Sequence, residues 1–419
     1  MIEPNLPTSC DVLVIGAGPA GSACAQTLSA SGLDVLLVDQ HDFPRDKVCG
    51  DGLIPDSHAA LRRLGLYDEV AALAQPVQHV RCVGPRGGMV DVPGSLTVLP
   101  RKVLDHVLVR SAQRAGARLL TPLRFDSPLL DGEQVVGARF KAAGLHRDAS
   151  QAHEISARWV VLATGAVPQA LTAAGLCDRH TPSGVALRGY VKNDSQVPHI
   201  RQLQIVWHPR LRGGYGWIFP APGGVFNIGA GLTGSHIQTE GKRGSKGRMQ
   251  DLNLRAMFDA FCYLHPPARD LMATGVLQGD IKGAPLRCSM VGSRWSRPGL
   301  LATGEAVGST YAFTGEGIGK AMETGMLAAN AILQDRHAPN TPDSAVRQRY
   351  EASLTALKPR FDMYETASHV NHRPWLADLV IWRARKSPRI LRRMAGMLEE
   401  TQNPGRLFSW RGMSKLMFE

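Results

Sequence analysis

The chain has 419 residues, 44% of them hydrophobic and 20% charged, a globular composition that leaves little room for disorder and suits about two or three domains. Its seven cysteines are scattered without a C-x-x-C spacing, which disfavours a zinc site or a disulfide framework, and no apolar run reaches the ~18 residues of a membrane span. The start, Met1 to Pro7, lacks the basic and apolar regions of a signal peptide, so a reducing cytoplasm is the expected compartment. The net charge of +12 directs attention to anionic partners, but no zinc finger or aromatic RNA-binding strand accompanies it, so nucleic acid is not expected.

The first predicted element is Asp11-Val12-Leu13-Val14-Ile15, a short apolar run suited to a buried parallel strand. Gly16-Ala17-Gly18-Pro19-Ala20-Gly21 follows and opens a predicted helix that Gly32 ends. A second strand, Val35-Leu36-Leu37-Val38, terminates in Asp39. The order of strand, glycine turn, helix, strand and acid is that of a dinucleotide site. Gly16 permits the tight turn, Gly18 lets a pyrophosphate approach the backbone, and Gly21 packs helix on sheet, with Ala20 counted among the cofactor-binding residues. Asp39 is then placed to accept ribose hydroxyls.

Phe43-Pro44-Arg45-Asp46-Lys47 is polar and turn-like, and sets two cations, Arg45 and Lys47, beside the expected adenine-ribose site. Lys47-Val48-Cys49-Gly50-Asp51-Gly52 comes next, its glycines permitting close backbone approach to a flat ring. Arg101 opens a helix after Pro100. A further buried strand, Arg158 to Leu162, ends in Ala163-Thr164-Gly165. Between about 181 and 285 the pattern shifts to short alternating strands, among them Gly214-Tyr215-Gly216-Trp217-Ile218-Phe219-Pro220, whose Tyr215, Trp217 and Phe219 share one face at period two. Towards the C-terminus, Leu300-Leu301-Ala302-Thr303-Gly304-Glu305 ends a strand, and Thr314-Gly315-Glu316-Gly317-Ile318 opens a long helix of small residues. A ligand touched by both ends of the chain is extended, which suits FAD.

These motifs together resemble the superfamily of para-hydroxybenzoate hydroxylase, flavin-dependent halogenases and geranylgeranyl reductases, over about residues 9 to 335. The K-x-C-G-[DG]-G segment at 47–52 and the Y-x-W-x-F-P pattern at 215–220 are those of the reductase branch. The resemblance implies an α/β fold: a Rossmann-like FAD-binding domain with an inserted mixed β-sheet substrate domain and a helical C-terminal region. The expected boundaries are 1–180 for the first part of the FAD domain, with 80–100 crossing toward the substrate domain. The substrate domain follows at 181–285, the FAD domain returns at 286–335, and a helical basic region fills 336–419.

The resemblance also implies the cofactor contacts. Arg101 meets FAD, Gly165 belongs to the turn after the long strand, and Gly304 and Glu305 approach the ribityl-pyrophosphate. Gly315, Gly317 and Ile318 lie by the isoalloxazine, where a helix N-terminus stabilises a reduced flavin's negative charge by about 0.3–2 kcal/mol. Cys49 and Gly50 lie close to the flavin, with Cys49, Tyr215, Trp217 and Phe219 lining the substrate pocket and no catalytic step assigned to any of them. The family's Asp at 305 is Glu here, and its Asp-Gly is Thr164-Gly165. The reductant is NAD(P)H or a reduced partner.

Halogenation is disfavoured, because no lysine stands between Lys47 and Lys102 and the W-x-W-x-I-P pattern is absent. Between the remaining reactions, the first expectation is a monooxygenase hydroxylating an aromatic group, in particular a tryptophan side chain of a partner protein or peptide during cofactor maturation. A geranylgeranyl reductase-type enzyme saturating isoprenoid C=C bonds is the alternative, and a non-enzymatic flavin-binding assembly factor the third. The basic runs, Lys242 to Arg248 and Arg383 to Arg393, leave open an acidic protein partner or peripheral membrane contact.

Overall fold

A computed structural model of the chain describes residues 6–143, 152–178, 182–211, 213–233, 253–336 and 342–402. The basic run at 242–248 lies outside the described residues.

The first strand, Ser9–Ile15, runs parallel between Val35–Val38 and His153–Leu162, with Ile15 opposite Val38 on one side and Leu162 on the other. Leu300–Ala302 adds a parallel strand beyond His153–Leu162, and Arg118–Leu120 adds one beyond Val35–Val38. The earliest and latest strands of the dinucleotide motif therefore meet in one sheet. Val35, Leu36, Leu37 and Val38 have no exposed surface, so their unbroken apolar run reflects burial without a solvent face. The helix Pro19–Ala30 follows the glycine turn and packs against Ile318–Arg336. Small residues allow that approach: a Cβ on Gly325 would fall 2.2 Å from the Ala20 carbonyl oxygen.

The second sheet is mixed. Its order is Val276–Leu277, Gly184–Lys192, Val225–Leu232, Gly214–Ala221, Leu203–Val206, Gln75–Val83, Met89–Val98 and Gly52–Leu53, with Lys282–Leu286 also on Gly184–Lys192. Among the described residues its one parallel pairing joins Leu203–Val206 to Gln75–Val83. Glycines in this sheet make room for rings. A Cβ on Gly229 would lie 2.1 Å from Trp217, and one on Gly216 would lie 2.3 Å from Phe261 of the helix Leu254–Leu264.

The C-terminal region is helical: Asp343–Ala367, His369–His372, Trp375–Ala384 and Pro388–Leu398. The last two helices lie on strands Gln75–Val83 and Met89–Val98. The mixed α/β architecture with an inserted sheet and C-terminal helices is the fold class expected from the sequence. Among the described residues, no helix is long and apolar enough to cross a membrane.

Candidate active site

The glycine turn is shaped by contacts that no side chain would survive. Gly16 has φ of 101°, and a Cβ there would fall 2.4 Å from the Ala163 carbonyl oxygen. A Cβ on Gly21 would meet the Gly16 carbonyl oxygen at 1.8 Å. The helix Pro19–Ala30 begins without a side-chain cap and without an acid in its first turn. Its free N–H groups and the positive end of its dipole are left for an anion.

Charged side chains surround that end. Asp39, buried, accepts from the Ala17 N–H at 2.8 Å and the His41 N–H at 3.0 Å. Arg45 Nη2 is 3.7 Å from Asp39, and Arg45 Nη1 is 3.1 Å from Asp105. Arg101 donates to both oxygens of the wholly buried Asp105, at 2.6 and 2.8 Å. A Cβ on Gly18 would stand 3.6 Å from one guanidinium and 3.8 Å from the other. Arg45 Nε and Thr164 Oγ1 are buried with no hydrogen-bond partner, so the rim holds donors that a polar ligand would satisfy. The donor set, the glycine cradle and the uncapped helix fit a dinucleotide pyrophosphate with its ribose.

The next segment turns toward the second sheet. Asp51, with φ of 65° and no exposed surface, accepts from Tyr190 Oη at 2.5 Å, Asn227 Nδ2 at 2.8 Å and the Arg101 N–H at 3.2 Å. Burial raises its carboxyl to about 6, against the opposing pull of Tyr190, Arg188, Asn227 and Arg101. Asn227 also donates to the Cys49 carbonyl at 2.7 Å and accepts from Trp217 Nε1 at 2.9 Å, tying the loop to the aromatic strand. Burial pushes the Cys49 thiol up, with the nearby Arg101 opposing the shift. Arg188 donates to Asp46 and to the Lys47 carbonyl, fixing the start of the loop.

On the aromatic strand, Tyr215, Trp217 and Phe219 follow one another at ring distances of 6.2 and 6.4 Å, and Trp207 extends the row to Phe313. Gly50 lies under Phe219, where a Cβ would come within 3.0 Å of the ring. The Tyr215 hydroxyl donates to the Thr314 carbonyl, joining the row to the loop at 314–317. There the Thr314 hydroxyl donates to Glu316 at 3.1 Å.

Behind Glu316 stands a buried charged group. Lys320 Nζ is 2.9 Å from Glu400, 3.0 Å from Glu323 and 3.9 Å from Asp56. Burial, with the neighbouring Asp56 and Glu400 charges, raises Glu316 to about 8, although Thr314 and Lys320 pull the other way. Burial likewise raises Asp56 to about 7, with Lys320 opposing and Glu400 adding to the shift.

These parts enclose one cavity of about 1020 Å³. Of the site residues expected from the sequence, all but Gly21 and Gly304 line it. Gly21 packs behind the turn, and Gly304, at φ of 67°, faces Ala20, where a Cβ would approach to 2.6 Å. Glu305 lines the cavity but turns one oxygen onto the Arg287 N–H and the Thr310 hydroxyl, each at 3.3 Å. The sequence reading passed over Asp105, the Asp51–Tyr190–Asn227 set and Glu316. Asp105 carried a local signal in its i,i+4 spacing from Arg101, and Asp51 and Glu316 stand inside the 47–52 and 314–318 segments, whereas Tyr190 and Asn227 carried none. The cavity's far end is walled by the C-terminal helices. Val80, Val92, Leu96 and Leu203 from the second sheet face Val380, Ile381, Met394 and Leu398 from the C-terminal helices across it.

A model of the FAD binding domain matches residues 9–212. A menaquinone reductase of Mycobacterium tuberculosis is 32% identical over 391 residues, covering 84% of both chains. A digeranylgeranylglycerophospholipid reductase of Methanopyrus kandleri is 28% identical over 345 residues, covering 81% of this chain and 84% of that one. Among solved structures, a geranylgeranyl bacteriochlorophyll reductase-like protein from Thermoplasma acidophilum superposes with a TM-score of 0.74 at 20% identity, over 99% and 97% of the two chains. A probable FAD-dependent monooxygenase from Pseudomonas aeruginosa superposes at 0.62 and 17% identity, over 88% and 98%. The two structural likenesses speak to the fold, whereas these two sequence relatives are reductases. A matching FAD domain and a reductase aligned over most of its length make this chain a member of the geranylgeranyl reductase family of FAD-dependent oxidoreductases.

Proposed function

We propose that the chain is a reductase that saturates a C=C bond in the isoprenoid chain of a lipid. The observation that carries this reading is the continuity of the cavity from the dinucleotide cradle to a wall of aliphatic side chains. Where strands Gln75–Val83, Met89–Val98 and Leu203–Val206 face the last two helices, the lining is apolar throughout: Val80, Cys82, Leu96, Ile205, Ala377 and Val380 are among it. An isoprenoid tail gains by burial there, and a peptide would leave backbone N–H and C=O groups unpaired. The reductase relatives support the same choice over aromatic hydroxylation, which ranks second here because its support is a fold likeness at 17% identity.

In this reading the helix at Gly18 and the guanidiniums of Arg45 and Arg101 hold the FAD pyrophosphate, and Asp39 holds the adenosine ribose. Asp105 sets the angle of both guanidiniums. Bound there, FAD supplies a hydride carrier at its ring nitrogen. Gly50 and Gly52 keep the backbone flat beneath Phe219, and Tyr215 and Trp217 wall the space where the lipid's reacting bond lies. Saturation also needs a proton. Cys49 and Glu316 are two cavity-lining groups that burial keeps protonated at neutral pH, Cys49 Sγ as thiol and Glu316 as carboxylic acid.

The test is a block at the apolar end. Ala377 is 4% exposed and lines the cavity far from the cradle. Ala377→Trp is expected to leave FAD content unchanged, to abolish turnover of long prenyl lipids and to spare short ones. Equal loss for every chain length would contradict the proposed path.

A further inference from the structure

The last two described helices present two different faces. Toward the interior, Ala377, Val380 and Ile381 of Trp375–Ala384 and Met394 and Leu398 of Pro388–Leu398 line the cavity. Toward solvent, Trp375 is 55% exposed and Trp382 49% exposed, although large aromatic rings favour burial. Seven residues apart, they share a stripe with Leu379 between them and Lys386 beyond, at helical spacing. Lys386 Nζ sits 4.7 Å over the Trp382 ring, so cation and ring point the same way. Arg385 and Arg392 are exposed beside this stripe, and none of Arg385, Lys386 and Arg392 forms an ion pair with a carboxylate among the described residues.

We infer that this outer face, Trp375, Trp382, Arg385, Lys386 and Arg392, docks on an anionic lipid bilayer surface. Tryptophan rings with basic side chains among them match the interface of a bilayer, the rings entering the headgroup layer and the cations meeting lipid charge. The helices carrying this face are also the outer wall of the apolar cavity, so docking brings the bilayer against the cavity's cover. An acidic protein would satisfy the cations but would give no reason for an aliphatic cavity directly behind the same two helices. The surface stands on its own residues; only its purpose, entry of a lipid substrate, rests on the reductase reading.

The experiment uses the full-length, FAD-loaded protein and sedimentation with two kinds of vesicle, phosphatidylcholine alone and phosphatidylcholine mixed with phosphatidylglycerol. Binding is expected to the mixed vesicles only and to weaken steeply with added salt. Arg385→Glu with Lys386→Glu is expected to lower the partition coefficient by roughly tenfold or more, given the usual effect of each basic residue near an anionic surface. Trp375→Ser with Trp382→Ser is expected to lower it as well, with FAD content and turnover of detergent-dispersed lipid unchanged in both variants. Wild-type binding by either double variant overturns the assignment, as does equal binding to neutral vesicles. Turnover of dispersed lipid without vesicle binding overturns the docking surface and leaves the reductase reading standing. Vesicle binding without turnover of any prenyl lipid does the reverse.

Discussion

Arg101 and Asp105 stand one helical turn apart and share two hydrogen bonds of 2.6 and 2.8 Å, with the carboxylate wholly buried and also 3.1 Å from Arg45. One acid thus holds two guanidiniums beside Gly18, where the first helix begins. Asp105→Ala leaves two cations crowded at that spot without their shared counter-charge. Losing one member of a buried pair costs about 3–5 kcal/mol. The apoprotein is expected to unfold at correspondingly lower urea, and FAD titration is expected to show weakened binding. Unchanged FAD affinity would mean that the two arginines do not hold the pyrophosphate.

Gly18 and Gly21 separate binding from folding. A Cβ on Gly18 finds its nearest neighbours at 3.6 and 3.8 Å, while one on Gly21 meets backbone oxygen at 1.8 Å. Gly18→Val is therefore expected to give a folded protein that retains no FAD. Gly21→Val is expected to lower the melting temperature of the apoprotein itself. Calorimetry of the apo forms beside flavin absorbance of the purified proteins distinguishes the two effects, and full FAD retention by Gly18→Val would refute the cradle.

Tyr190 offers a finer test. Its hydroxyl donates to buried Asp51, and its ring lies 4.1 Å under the Arg188 guanidinium. Tyr190→Phe keeps the ring and removes only the donor. A hydrogen bond to a charged group is worth about 1.5–3 kcal/mol, so urea unfolding is expected to register a loss of that order. A loss below about 0.5 kcal/mol would show that Asp51 does not depend on Tyr190.

The acids behind the 314–317 loop predict a pH dependence. Burial raises Glu316 from a carboxyl's ordinary 4.5 to about 8 and Asp56 from 3.8 to about 7. Folded chains therefore keep protons that unfolded chains have already released above about pH 4.5. Stability is greatest below about pH 4 and declines as pH rises, through about 7 where Asp56 is half ionised and about 8 where Glu316 is. Lys320 moderates the decline, while Glu323, Glu400 and the rings of Tyr311 and Tyr364 surround the group. Glu316→Gln is expected to flatten the fall in melting temperature between about pH 5 and 8; an unchanged slope would place the titration elsewhere.

Much of the fold was legible because its signals are local. The strand-glycine-helix-strand-acid order from Asp11 to Asp39 needs no distant residue to be read. Tyr215, Trp217 and Phe219 announce a shared face through period two alone, and all three line the cavity. What stayed hidden depends on pairings across long sequence distances. Asp51 meets Tyr190 and Asn227 from strands more than a hundred residues away, and Lys320 meets Glu400 across 80 residues. No spacing rule reports such contacts. The reaction was not legible in the sequence for a related reason. Basic charge near the C-terminus left an acidic partner and a membrane surface equally open, whereas the same helices bury Val380, Ile381 and Met394 against the sheet, an inner face that charge alone does not report.

The central claim is reduction of an isoprenoid C=C bond, and the most direct measurement is anaerobic reoxidation of the chemically reduced flavoprotein. The flavin absorbance is expected to recover on adding a polyprenyl lipid without oxygen, with mass spectrometry showing a lipid heavier by one dihydrogen equivalent. A flavin that stays reduced until oxygen is admitted, followed by oxygen incorporation into an aromatic substrate, would contradict the account.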